Sequence, residues 1–71
     1  MLDGERLKQI RSDYGDTQES LGQKLGNSTS MVQKWEQGTS EPRLETLKQI
    51  CRMYNVSADF LLGLSRDGAS V

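Results

Sequence analysis

Three residues, Gly26-Asn27-Ser28, are all that lie between two runs of helical spacing: Leu21 and Leu25 precede them, Val32 and Trp35 follow. Apolar side chains three and four positions apart share one helix face. The chain must therefore leave one helix and enter another through a tight corner. Such a corner needs a residue that tolerates positive φ, which Gly26 supplies. It also needs a small residue where the helices approach. Gly22 sits inside the helix one turn ahead, where glycine costs about 1 kcal/mol relative to alanine; a packing reason for it is expected. Leu21, Leu25, Val32 and Trp35 then lock the corner to the rest of the domain.

The same spacing organises the remaining chain. Leu7, Ile10 and Tyr14 predict a first helix over about residues 4–14, stopped by Gly15. The second helix opens at Asp16 or Thr17 and closes at Gly26. Asp16-Thr17-Gln18-Glu19 has the form of a capping box with Asp16 at the cap, and Thr17 is the alternative cap. Ser28 caps a third helix that reaches Glu36 or Gln37 and ends at Gly38. After the loop Thr39-Ser40-Glu41-Pro42, a fourth helix carries Leu44, Leu47, Ile50, Cys51 and Tyr54, ended by Asn55 in the role often taken by glycine. Ser57 caps a fifth, holding Phe60, Leu61 and Leu62, and Gly63 terminates it. The expected fold is all-α, five short helices and no strand, with one domain over 1–64 and a flexible tail over 65–71.

Composition narrows the function. With 71 residues and 34% apolar content, the core must be small, so tight helix packing or a partner subunit is needed. Cys51 is the only cysteine and histidine is absent, which excludes an internal disulfide and Cys/His zinc spacing. No metal, cofactor or enzymatic activity is expected, since no paired carboxylates sit in a cleft-forming context. The longest apolar stretch, Phe60-Leu61-Leu62, cannot span a bilayer. The expectation is a soluble cytoplasmic protein without membrane association. Nine basic residues face ten acidic ones, so a nucleic-acid contact has to come from local charge placement.

Projected at about 100° per residue, the third helix places Trp35 and Ser28 within about 60° of Val32, on the buried side. Ser30, Gln33, Lys34 and Gln37 gather on the opposite side. These are hydrogen-bonding side chains with one cation, matched to the donors and acceptors on base edges in a major groove; a solvated face would have the same composition. Trp35 is expected in the core, and Cys51, in phase with Leu47 and Tyr54, as a buried filler. Glu36 lies about 40° from Val32, a costly place for a carboxylate without a partner.

The chain resembles the Cro/C1-type, or XRE-type, helix-turn-helix proteins of phages and bacteria. The matching residues are Thr17-Gln18-Glu19-Ser20-Leu21-Gly22-Gln23-Lys24-Leu25-Gly26, then Ser28, Ser30, Val32 and Trp35-Glu36-Gln37-Gly38. They continue through Glu41-Pro42, Leu44-Glu45-Thr46-Leu47 and Val56-Ser57-Ala58-Asp59-Phe60-Leu61-Leu62-Gly63. The resemblance implies a phage-repressor-like domain in a bacterial cell or phage-infected host, regulating transcription as a repressor. It implies that Thr29, Ser30, Gln33 and Lys34 contact bases. Gln18, Ser28, Gln37, Thr39, Ser40 and Arg43 would contact the DNA backbone, with Arg43 equally readable as a solvated first-turn residue. It also implies Arg11 as the partner of Glu36. Arg11, Gly22, Gly26, Val32, Trp35 and Glu36 then form the structural set. One departure is Asp16, where the family usually has a buried aliphatic residue, and a looser join between the first two helices is expected there.

So small a module with few cations suggests a homodimer on a palindromic double-stranded DNA operator. The expected dimer contact is Phe60, Leu61, Leu62 and Leu64, whose alternative use is closure of the monomer core. The rival from another class is an antirepressor- or antitoxin-like module acting on a protein partner, which the acidic balance favours.

Overall fold

The computed structural model describes residues 1–65. Within them the chain forms five helices and no strand: α1 Gly4–Asp13, α2 Gln18–Leu25, α3 Thr29–Gln37, α4 Leu44–Tyr54 and α5 Ala58–Leu61. Four of the five begin where a side-chain oxygen takes an otherwise unpaired backbone N–H: Asp3, Thr17, Ser28 and Ser57. The exception is α4, where Arg43 holds the cap position without a side-chain bond. At α2 the cap is Thr17, not Asp16, and Ser20, not Glu19, completes the box by returning its hydroxyl to the Thr17 N–H. Asn55 ends α4 in the left-handed region, at φ 51°.

The corner between α2 and α3 forms as its residues require. Gly26 adopts φ 70°. A Cβ on Gly22 would lie 2.8 Å from the Asn27 carbonyl oxygen, so only glycine lets the turn fold back on α2. The core contains Leu7, Leu21, Leu25, Val32, Trp35, Ile50, Tyr54 and Leu61, joined by Leu2 and Val56. Leu2 belongs to a strap ahead of α1: the Asp3 N–H donates to the Leu61 carbonyl at 2.7 Å, and the Leu2 N–H to Glu41 Oε1 at 2.8 Å. The strap thereby ties α1, α5 and the loop before α4 together.

Asp16 tightens the join it was expected to loosen. Its side chain accepts from Ser20 Oγ (2.9 Å), Lys24 Nζ (2.8 and 3.0 Å) and the Tyr54 hydroxyl (2.7 Å), while its carbonyl accepts from Arg11 Nη1 (2.8 Å). Lys24 first, then Tyr54, hold its carboxyl at about 2. Burial, then the Asp16 carboxylate, push the Tyr54 phenol well above its ordinary range. A polar pin thus replaces the apolar contact. Cys51 is half-buried instead of fully enclosed, and burial raises its thiol. Of the tail expected over 65–71, Ser65 has its carbonyl accepting from Arg6 Nη1; residues 66–71 lie outside the described residues. Among the described residues, no helix is long and apolar enough to cross a membrane.

Candidate nucleic-acid interface

Helix α3 divides sharply into two faces. Val32 and Trp35, 0% and 2% exposed, turn inward. Ser30, Gln33, Lys34 and Gln37 are exposed, and among the described residues their side chains make no hydrogen bond or ion pair. Thr29 is half-buried at the first helical position. Ser28 is exposed, and its hydroxyl oxygen is occupied by the Met31 N–H at 3.1 Å. The N–H groups of Thr29 and Ser30 precede the first intrahelical bond, which leaves them without an intrahelical acceptor.

The loop after α3 is anchored, not loose. The Thr39 N–H donates to the Lys34 carbonyl at 3.0 Å and its hydroxyl reaches the same oxygen at 3.4 Å. Ser40 Oγ lies 3.8 Å from Met31 Sδ. Glu41 is held by the strap at Leu2, a tie between residues 39 positions apart that no local pattern signals. Arg43 is exposed, and its side chain bonds to nothing among the described residues. The structure therefore brings Ser40 and Arg43 to the start of α4 on a fixed loop, beside a cleft that also includes Asn27, Met31 and Trp35.

Gln18 opens α2. Its half-buried side chain donates from Nε2 to Glu36 Oε1 at 3.0 Å. Arg11 forks onto the same carboxylate, Nε to Oε2 at 2.7 Å and Nη2 to Oε1 at 3.2 Å. With side-chain exposures of 11% and 5%, this is the paired carboxylate that the phase of Glu36 demanded. The hydrogen bond to Glu36 raises the Arg11 pKa above its ordinary value. The link from Gln18, the first residue of α2, to Glu36, in the last turn of α3, was not foreseen.

The apolar group at the C-terminal end separates into different roles. Leu61, expected at a dimer contact, is 0% exposed and closes the monomer core; it has no surface to offer a partner. Phe60 is half-buried beneath the Arg6 guanidinium, 4.8 Å from its ring centre. Leu62 is half-buried, and Leu64 alone of the four is largely open, at 75% exposure.

The helix-turn-helix family profile matches residues 7–61. The chain is 36% identical over 63 residues to the uncharacterized HTH-type transcriptional regulator YobD of Bacillus subtilis (strain 168), covering 89% of this chain and 56% of that protein. It is 40% identical over 58 residues to the HTH-type transcriptional activator BcrR of Enterococcus faecalis, covering 82% and 28%. With the HTH-type transcriptional regulator ImmR of Bacillus subtilis (strain 168) it shares 37% over 60 residues, covering 84% and 47%. The chain thus spans about half or less of the length of these relatives. Among solved structures, the P22 c2 repressor in complex with a synthetic operator superposes with a TM-score of 0.81 at 31% identity, covering 92% of this chain and 98% of that one. The solution structure of the P22 c2 repressor's DNA-binding domain gives 0.76 at 32% identity, covering 94% and 91%. With its corner at Gly26, its five helices and this match over most of its length, the chain belongs to the helix-turn-helix family of the Cro/C1 type.

Proposed function

We propose that this domain is a sequence-specific double-stranded DNA-binding regulator of transcription, acting as a repressor and reading the major groove with α3. The observation that carries the reading is the outer face of α3: Ser30, Gln33, Lys34 and Gln37 stand exposed with their hydrogen-bonding groups uncommitted to the protein among the described residues. Gln, Ser, Thr and Lys can match base edges in a groove wide enough to admit a helix. Gln18 from α2, and Thr39, Ser40 and Arg43 from the segment after α3, supply backbone contacts beside that face; Ser28 and Gln37 adjoin it. The P22 c2 repressor, to which the fold is similar, was solved with a synthetic operator, which supports the same geometry here.

A palindromic operator bound by a homodimer completes the proposal, with half-sites about 34 Å apart. Selection of duplexes from a random pool, followed by retardation of the selected duplex, tests it. Enrichment of a two-fold symmetric sequence is the expected result. Failure to retard any duplex at low salt would overturn it in favour of an antirepressor- or antitoxin-like module that engages a protein partner. That second reading draws on the net charge of -1.

A further inference from the structure

Resting on the DNA-binding reading above, we propose that Glu36 is a positioning residue for the phosphate contact of Gln18, setting that amide so that a donor is available to the duplex. An amide can present either its oxygen or its nitrogen, and the two ends are opposite in what they accept. Here the choice is forced. Gln18 Nε2 lies 3.0 Å from Glu36 Oε1, and rotating the amide would set its oxygen against a carboxylate oxygen. Both carboxylate oxygens already accept from Arg11, so the group faces Gln18 as an acceptor. Glu36 takes one of the two Nε2 hydrogens and leaves the other to be donated.

The surroundings make this orientation stiff. Arg11 is itself fixed by donating to the Asp16 carbonyl at 2.8 Å. The Glu36 peptide is pressed against α1, where Gly4 approaches its carbonyl so closely that a Cβ would not fit. Thr17 Oγ1 accepts from the Ser20 N–H, and the Gln18 and Glu19 N–H groups precede the first intrahelical bond of α2. A half-buried side-chain donor therefore stands beside two backbone donors. A glutamine without such an anchor has to give up its rotamer freedom on binding, which weakens the contact.

Removing Glu36 alone strands a buried arginine, so the test replaces both members of the pair. Arg11→Met with Glu36→Met substitutes apolar side chains of similar length, an exchange that folds well in other buried pairs. In the otherwise unchanged protein, Gln18→Ala should weaken binding to the selected duplex about tenfold. In the Met/Met background the same change should cost less than about twofold, because Gln18 is no longer held. A tenfold loss in both backgrounds would overturn the positioning role. A wild-type protein that retards no duplex would overturn the DNA reading instead.

A second measurement does not depend on any variant folding. In the free wild-type protein, one Gln18 side-chain amide hydrogen should exchange with solvent more slowly than those of exposed Gln33 and Gln37. Equal exchange at all three positions would overturn the proposal by itself.

Discussion

At the scale of single residues, the chain invests its ionic groups in holding elements together. Asp16 accepts from the Tyr54 hydroxyl, which comes from α4, and from Ser20 and Lys24 on α2. Tyr54 is 1% exposed, so Asp16→Ala leaves its hydroxyl buried without an acceptor and should cost about 2 kcal/mol in denaturant unfolding. Adding Tyr54→Phe should restore part of that loss, since no donor then goes unmet. The carboxyl sits at about 2 when folded, below its ordinary value of 3.8. A depressed folded value means that its contribution is complete above pH 4 to 5 and is lost as pH falls toward about 2. The wild-type unfolding midpoint should therefore fall over that window more steeply than that of Asp16→Ala. Equal acid sensitivity of the two proteins would contradict the pin. Glu36→Ala is the harsher change: Arg11, with 11% of its side chain exposed, loses its counter-charge, and a loss of about 3 kcal/mol is expected. The Arg11–Glu36 pair was readable from helical phase together with the family resemblance. The Asp16–Tyr54 bond was not, because its partners are 38 positions apart and the departure from an aliphatic residue suggests looseness, not a new polar contact.

At the scale of elements, glycine placement and the surface of α3 can be tested separately. Helix propensity alone favours Gly22→Ala by about 1 kcal/mol. The Asn27 carbonyl oxygen, 2.8 Å from the added Cβ, opposes it, and backbone is not free to swing away. Overpacking of this kind costs about 1–3 kcal/mol, so net destabilisation is expected in thermal unfolding; a gain in stability would show that the corner relaxes. On α3, Lys34→Ala or Gln33→Ala should each cost about 1–3 kcal/mol on the selected duplex and relax its sequence preference. Gln18→Ala should weaken all sequences alike, because phosphates carry no sequence information. Uniform losses from all three variants, read by competition against random duplex, would count against α3 as the reader. The helices themselves were legible because period, cap and stop coincide at nearly every one. What escaped was the choice between adjacent cap candidates: Asp16 and Thr17 both fit the pattern, and only the tertiary attraction of Tyr54 and Lys24 draws Asp16 away from the helix end.

For the whole molecule, the distribution of charge and of apolar surface sets how it can assemble on DNA. Lys24 is engaged by Asp16 and Arg11 by Glu36, which leaves Lys34 and Arg43 as the exposed cations from α2 through the start of α4 without an ion pair among the described residues. Two phosphate-neutralising groups per protomer correspond to a slope of about -2 in log affinity against log salt. Weak, shallow binding by one protomer makes a second protomer valuable, and the surface that could join them is smaller than the run Phe60 to Leu64 suggests. Sequence spacing could not separate these four residues, because burial depends on the strap: the Asp3 N–H docks on the Leu61 carbonyl, and Arg6 covers Phe60. Leu61→Ala should then act on stability, at about 2–5 kcal/mol, as a core truncation does. Leu64→Glu, at a position 75% exposed, should leave the melting temperature unchanged while placing like charges on facing protomers. Its expected signature is weakened binding to the two-half-site duplex with unchanged binding to a single half-site. If Leu64→Glu affects neither duplex, the protomers meet through another surface, and the Phe60–Leu64 segment serves the monomer alone.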